Sequence, residues 1–136
     1  MIVNLTPHPL HFYPSDCPDR IDERAEDAPA PLFSLPPSGA IARIETQNLG
    51  TWFTDRLDDR VGPEVSVEGV EYGHASGLPP LDTDAWDLNL RPRTYYVVPL
   101  VVALATRGRP DLLVPYRDVR SHEGTVLGCR QLARPC

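Results

Sequence analysis

Short apolar segments rich in β-branched residues, each closed by a proline or glycine turn signal, constrain the fold of this chain more than any other feature. Met1–Leu5, Ala40–Thr46 and Thr94–Val98 are examples, and such segments favour strands because branched side chains pack well on a pleated surface. Turn signals such as Pro36-Pro37-Ser38-Gly39 separate them. This spacing predicts a mainly β or β-rich α+β fold, built as a compact antiparallel sheet, a sandwich or a partly closed barrel.

The first half of the chain contains two places where strands are expected to break. Residues 1–13 hold two apolar segments around Pro7 and Pro9, and prolines fix φ and bias the preceding residue toward extended geometry. This pattern predicts either a hairpin or a bent ribbon. Residues 61–72 predict a strand pair, because Gly62-Pro63 and Glu68-Gly69 are both turn signals.

The C-terminal third shows the strongest strand pattern. Leu112–Val114, Tyr116–Arg120 and Thr125–Leu132 each predict a strand. Before them, Leu100–Ala105 either continues the preceding strand or forms a short helix. The helix is preferred because Pro99 suits a first helical turn. The chain is therefore expected to contain at most one or two short helices.

A single domain over residues 1–136 is expected, since a chain of this length fits one hydrophobic core. Two irregular segments interrupt it: an acidic, proline-rich loop at 14–31 and a long loop at 76–93. The first is predicted to be solvated, with one helical turn near 21–28 as an alternative. The second is long for a compact domain, and long ordered loops are more often functional than short ones.

Charge and motif content argue against several classes of function. The net charge is −6 and all 13 cationic side chains are arginine, so a duplex-DNA surface, which needs a broad basic field, is not expected. The sequence has no run of about 18 apolar residues and no basic, apolar leader. We therefore expect a cytoplasmic protein without membrane contact. Nucleotide-loop and zinc-hydrolase motifs are missing, so no cofactor is expected.

The histidines and cysteines do not form a metal motif. His8 and His11 are three residues apart, which would place them on opposite faces of a strand. The three cysteines are widely spaced and odd in number, which argues against a zinc ribbon or a disulfide scaffold. No metal site and no catalytic set of residues is predicted.

Arginines gather in the C-terminal third, where a guanidinium fork would suit phosphate or carboxylate. The turn at 107–111 is the strongest polar cluster. Arg109 is a candidate ligand-binding residue there, and Asp111 either accepts from a ribose hydroxyl or pairs with Arg109 to order the turn. Three further arginines would converge on one face if their strands are neighbours: Arg43, Arg117 and Arg130. Aromatic residues such as Trp52 and Trp86 either stack a base or belong to the core.

Several short motifs also occur in a fixed order along the chain. They are Asn4-Leu5-Thr6-Pro7-His8, Pro37-Ser38-Gly39 with Ala42-Arg43, Gly77-Leu78-Pro79, Tyr96-Val97-Val98, Arg109-Pro110-Asp111-Leu112, and Gly124 with Gly128-Cys129. Together they resemble a group of small, largely uncharacterised bacterial and phage proteins that begin with an NLTPH signature. The acidic loop lies outside this resemblance. The resemblance implies a phage or prophage setting and no mechanism, and its polar positions are His8, Arg43, Arg109 and Asp111.

Three functions are consistent with these residues. The first is a non-enzymatic protein that binds a small anionic, nucleotide-type ligand through His8, Arg43, Arg109 and Asp111. The alternative is a protein-interaction or inhibitory module that uses the acidic loop at 14–31. A small hydrolase ranks below both, because its base His8 and orienter Asp111 lie at opposite ends of the chain and would have to meet. Self-association is compatible with the exposed edge strands of a small β domain.

Overall fold

The computed structural model describes residues 1–56, 58, 62–81 and 91–135. In this part of the chain the elements are β1 (Ile2–Asn4), β2 (Leu10–Phe12), β3 (Arg20–Ile21), β4 (Phe33–Leu35), β5 (Arg43–Arg56), β6 (Glu64–Ser76), β7 (Tyr95–Val97), α1 (Leu100–Ala105), β8 (Leu112–Ser121) and β9 (Val126–Ala133). The predictions of a mainly β fold and of a short helix after Pro99 are confirmed. Trp86, and residues 82–90 of the predicted 76–93 loop, lie outside the described residues.

Seven of the described strands form one curved sheet in the order β1-β7-β8-β9-β2-β4, with β3 paired beside β8. The sheet is mixed: β8–β9 and β2–β4 are antiparallel, whereas β1–β7, β7–β8, β2–β9 and β3–β8 are parallel. Residues 38–42, which follow β4, return along β1. There the Ser38 amide donates to the Asn4 carbonyl and the Ala42 amide to the Leu5 carbonyl, both at 2.9 Å. These bonds bring the two ends of the sheet together into a nearly closed barrel.

Residues 1–13 form a bent ribbon rather than a hairpin. β1 pairs with β7, whereas β2 pairs with β4 and β9, so the two strands lie in different parts of the barrel wall. Pro7 and Pro9 between them lack the amide hydrogens that a hairpin ladder would need.

The expected strand pair at 61–72 is wrong, because one strand, β6, runs from Glu64 to Ser76. Glu68 and Gly69 do not turn the chain: they pair with Thr51 and Gly50 of β5. The partner strand β5 also extends the predicted Ala40–Thr46 strand to Arg56. Three register shifts along the β5–β6 ladder interrupt the two-residue alternation, which is the signal that sequence patterns rely on.

The predicted strands at 112–114 and 116–120 are one strand, β8, which passes through Pro115. The Leu113 carbonyl accepts from Val98 on the β7 side of β8. Pro115, two residues further on, faces the same side at a point beyond the end of β7. Its missing amide hydrogen therefore breaks no bond to β7, and the strand continues.

The acidic 14–31 loop is anchored to the barrel rather than wholly solvated. Cys17 and Ile21 are buried in a cluster with Tyr13 and Val119, and β3 within the loop pairs with the end of β8. The alternative of a helical turn near 21–28 is not observed. Two successive turns form instead, closed by Ala25 to Asp22 and Ala28 to Ala25 backbone bonds of 3.1 Å.

A second, larger core lies where α1 packs on the barrel wall. Its buried members are Leu5, Ala42, Val98, Val102, Ala103, Leu112 and Val114. Each large aliphatic side chain removed from water in this way contributes roughly 1.5–3 kcal/mol to folding. The base of the β5–β6 hairpin joins this cluster through Ile44 and Ala75, so the core also orients the hairpin.

Candidate functional site

Four arginines converge on one open cleft of about 540 Å³ at the surface of the barrel. β3 supplies Arg20, β8 supplies Arg117 and Arg120, and β9 supplies Arg130. Two carboxylates, Asp19 and Asp118, also line it. Cationic groups therefore outnumber anionic ones locally, in a protein whose net charge is −6. We call this surface the arginine cleft.

Arg130 forms the floor of the arginine cleft and is fixed by three bonds. Its side chain is only 6% exposed. The guanidinium donates to the Cys17 carbonyl at 2.6 Å and to the Arg117 carbonyl at 3.2 Å, and it forms an ion pair with Asp19. Arg130 thereby ties the acidic loop to the sheet. Its guanidinium supplies positive charge beneath the cleft at a fixed position.

Arg117 is held in a conformation that L-residues rarely adopt. Its φ is +58°, the one positive value among the non-glycine residues that the structure describes. The flanking pairs Tyr116–Gln131 and Asp118–Cys129 are regular, so Arg117 lies opposite Arg130 in the ladder. Its carbonyl accepts from the Arg130 side chain. Left-handed geometry in a non-glycine residue costs on the order of 1 kcal/mol or more and often marks a functional position.

The Arg117 guanidinium is exposed and has no hydrogen bond or ion pair to any residue in the described part of the chain. The other two arginines are partly engaged. Arg120 donates to the Gly124 carbonyl at 3.0 Å and pairs with Asp118 at 3.3 Å, and Arg20 makes long bonds of 3.4 Å to the carbonyls of Ser121 and His122. Since a guanidinium carries five donors, the cleft retains unused donors directed at solvent.

The Cys17 thiol beside the arginine cleft is not arranged as a nucleophile. Burial raises its pKa above the ordinary value of 9.0, and the nearby Arg130 charge opposes this only in part. A thiol that stays protonated at neutral pH is unreactive. The guanidinium groups that line the cleft can instead hold an oxyanion through charge-assisted hydrogen bonds.

Arg109 and Asp111, two of the predicted site residues, form a closed pair away from the arginine cleft. Their bonds are bidentate, with Nε to Oδ1 at 3.0 Å and Nη2 to Oδ2 at 2.7 Å. Asp111 is 2% exposed, and Arg109 also donates to the Pro79 carbonyl. This geometry matches the predicted alternative in which the pair orders the turn. Asp111 also borders a small cavity of about 90 Å³.

His8 and Arg43, the other two predicted site residues, are both exposed, and neither lines the small cavity beside Asp111. Arg43 is the first residue of β5, opposite Ser76 at the base of the hairpin. In the described residues no hydrogen bond or ion pair joins either side chain to Arg109 or Asp111. The hydrogen bond between His8 and Asp111 that the hydrolase hypothesis requires is not observed, and Asp111 is bonded to Arg109 instead.

His8 borders a second surface feature, an apolar groove of about 600 Å³. The turn between β1 and β2, the start of α1 and strand β9 form its walls, and Pro7, Pro9, Pro99 and Pro115 are among its lining residues. Asp118 lines both the groove and the arginine cleft, so the two features are adjacent. His11, also in the lining, shares a 2.5 Å hydrogen bond with Ser34.

Comparison of the chain with protein-family models, with curated proteins and with solved structures finds no match in any of the three. The described residues include no helix long and apolar enough to cross a membrane.

Part of the arginine cleft could be predicted from the sequence. Arg117 and Arg130 were expected on one face if their strands were neighbours, and the β8–β9 pairing brings them together. Arg43, the third member of that group, does not line the cleft. Arg20 was not predicted as a site residue, because it lies in the acidic loop, whose many carboxylates indicated a solvated segment. The buried pair Cys17 and Ile21 on either side of Arg20 was the available signal that this segment packs against the sheet.

Proposed function

We propose that this protein is a non-enzymatic binding protein that holds a small anionic ligand of nucleotide type in the arginine cleft. One observation carries the proposal: four arginines converge there, and Arg117 is exposed, backbone-strained and unpaired within the described residues. Guanidinium groups bind phosphate oxygens through charge-assisted, often bidentate hydrogen bonds. The proposal includes a cytoplasmic location and a phage or prophage setting, in which such a protein would sequester a nucleotide-type signal.

In this function the ligand is held by residues of β3, β8 and β9 and not by the turn at 107–111. Arg109 is already bonded on both sides, to Asp111 and to Pro79. Displacing Asp111 would leave a buried carboxylate unpaired, which typically costs several kcal/mol. A phosphate would instead meet free donors at Arg117, where no such cost arises.

Ligand titrations with a matched variant pair test this function. We expect inorganic phosphate and nucleoside mono- and triphosphates to bind the wild-type protein, and the uncharged nucleoside not to bind. At a hundred times its Kd a ligand should add about 2.7 kcal/mol to the free energy of unfolding. Arg117→Gln should weaken binding at least about tenfold, equivalent to ~1.4 kcal/mol.

Arg107→Gln is the control, because Arg107 is exposed in the turn after α1 and does not line the arginine cleft. It should leave the Kd unchanged. Binding should also weaken as salt is raised, since exposed charges are screened. If no phosphate compound binds in calorimetry, or if both arginine variants lose affinity equally, the arginine cleft is not the site.

The alternative of a protein-interaction module is favoured by a separate observation. The carboxylates of the acidic loop are exposed on a backbone that Cys17 and Ile21 anchor, so they form a fixed acidic surface. Deleting the loop would remove core residues, and substitution is the better test. The triple variant Glu23→Gln, Glu26→Gln and Asp27→Asn should keep the stability of the wild type and lose a partner in pull-downs. An identical set of captured proteins would rule this function out.

A further inference from the structure

The β5–β6 hairpin extends from the barrel as an arm with little support. We define the arm as Arg43–Arg56 and Glu64–Ser76. Its base packs on the core through Ile44 and Ala75, and nearly all of its other side chains are exposed. At ~3.3 Å per residue its 14-residue strand spans about 45 Å. A two-stranded hairpin of this kind is marginal by itself in water, which indicates that it gains stability from a further contact.

One face of the arm is apolar and uncovered. Phe53 pairs with Val67 across the strands, and Val65 lies two residues from Val67 on the same face. The Trp52 ring lies over Gly69, where an added Cβ would overlap its Nε1 atom. Trp52 is 73% exposed and Phe53 is 54% exposed. A contiguous aromatic and aliphatic surface of this kind marks an interaction site more often than a solvated face.

The apolar groove on the barrel is uncovered as well. Its volume of about 600 Å³ is in the range of binding pockets, and two of its lining side chains, Leu100 and Val126, are about half exposed. The arm of the same chain does not fill it, because the arm is anchored at α1 and stands exposed. Two unfilled apolar surfaces of the same chain therefore face solvent.

Their charges are complementary. The two strands of the arm carry five carboxylates, on Glu45, Asp55, Glu64, Glu68 and Glu71, against the two arginines at its ends. The groove is adjacent to the arginine cleft, where four arginines face two aspartates. The apolar face of the arm is thus complementary to the apolar groove. The acidic residues of the arm and the basic border of the groove carry charges of opposite sign.

We propose that the arm of one copy of this chain binds in the apolar groove of a second copy. The arm is long enough to do so, since a chain of this size has a radius of gyration of about 14 Å and the arm spans about three times that length. The contact is head-to-tail: one copy contributes the arm and the next contributes the groove. If each copy's arm enters the other's groove, the contact closes into a two-fold dimer; otherwise it generates larger closed rings or open filaments.

Complementation between two variants tests this contact. Trp52→Glu removes the arm's anchor and leaves the groove intact, while Leu100→Glu blocks the groove and leaves the arm intact. Both side chains are exposed, and an acidic residue is tolerated at the start of a helix such as α1. In native mass spectrometry at ~10 µM we expect the wild type to assemble, each variant alone to be monomeric, and an equimolar mixture to form 1:1 heterodimers.

The heterodimer distinguishes this contact from its competitors, because only one intact arm and one intact groove are needed to form it. An arm-to-arm dimer would not be restored by mixing. Leu32→Glu is the control, since Leu32 is exposed outside both surfaces, and it should assemble like the wild type. A wild type that stays monomeric at ~100 µM, or a mixture that stays monomeric, overturns the proposal.

The far-ultraviolet circular dichroism spectrum of each variant should match that of the wild type. Loss of assembly can then not be attributed to unfolding of the variant. Both monomeric variants should still bind phosphate in the arginine cleft. The two proposals are therefore tested separately. Failure of assembly contradicts the arm contact only, and failure of phosphate binding contradicts the ligand site only.

Discussion

Asn4 shows how a single buried polar side chain can close a sheet. It is about 1% exposed, and its Nδ2 donates to the carbonyls of His8 at 2.8 Å and Leu35 at 3.2 Å. Its Oδ1 accepts from the amide and the hydroxyl of Thr6 at 2.9 and 2.6 Å. The side chain therefore connects β1, the β1–β2 turn and β4 at the seam of the barrel. This network gives the NLTPH motif a structural role that does not involve a ligand.

Replacing Asn4 tests that role. Asn4→Ala leaves the Leu35 carbonyl and the Thr6 amide without the Asn4 side chain, whereas the Thr6 hydroxyl can still donate to the His8 carbonyl. Buried unsatisfied groups cost roughly 1–3 kcal/mol each. We expect a loss of about 2–4 kcal/mol in the free energy of unfolding by urea denaturation. Gln47→Ala, at an exposed position of the arm, should change stability by less than ~0.5 kcal/mol. Equal urea midpoints for wild type and Asn4→Ala would contradict the role of Asn4 at the seam.

At the scale of elements, the approach of β2 to β9 depends on a residue without a side chain. The two strands are parallel and pair at Phe12 and Cys129. A Cβ on Gly128 would overlap the His11 carbonyl oxygen and touch the Tyr13 ring. The close contact at Gly128 is therefore needed for β9 to pack against the ribbon that starts the chain.

Gly128→Ala should cost about 1–3 kcal/mol, the usual penalty for overpacking. Thermal unfolding would report it as a lower Tm. Gly108→Ala is the matched control, because a Cβ at Gly108 meets no atom within 4 Å, and its Tm should be unchanged or slightly higher. If the Tm values of both glycine variants equal that of the wild type, β2 and β9 are not as close as the structure places them.

At the scale of the whole molecule, stability should fall in alkaline solution. Burial raises the pKa of the Cys17 and Cys129 thiols above 9.0 and that of Tyr13 above 10.0. Above pH 9 the unfolded chain therefore loses protons that the folded chain still holds, so the free energy of unfolding decreases with pH. The stabilisation is fully present below about pH 9 and is lost as pH rises through the raised values.

Urea denaturation between pH 7 and 10.5 measures this dependence. The slope for one such group reaches at most ~1.4 kcal/mol per pH unit. Cys129→Ala should lower stability at pH 7, because it leaves a small cavity, and should also flatten the alkaline slope, because one titrating group is gone. A variant with the same slope as the wild type would show that Cys129 ionises equally in both states.

The class of the fold and several of its short elements could be predicted from the amino-acid sequence. Branched apolar segments between Pro and Gly signals located most of the strands, though not β3 or the full lengths of β5, β6 and β8. Pro99 identified the start of α1. These preferences act within a few residues. Which strands pair depended on contacts distant in sequence. The parallel pairing of β3 with β8 joins residues about 100 positions apart, and no local pattern encodes it.

The same distinction applies to the candidate site. Arginine could be predicted from the sequence as the ligand-binding residue type, since the chemistry of a guanidinium is a property of the residue itself. Which arginines keep free donors depends on how the chain packs. The tertiary structure paired Arg109 with Asp111 inside the turn, and it brought Arg20 from the acidic loop beside Arg117 and Arg130. A guanidinium binds an external anion only when no internal carboxylate or carbonyl has taken its donors, and that depends on the packing of the whole chain.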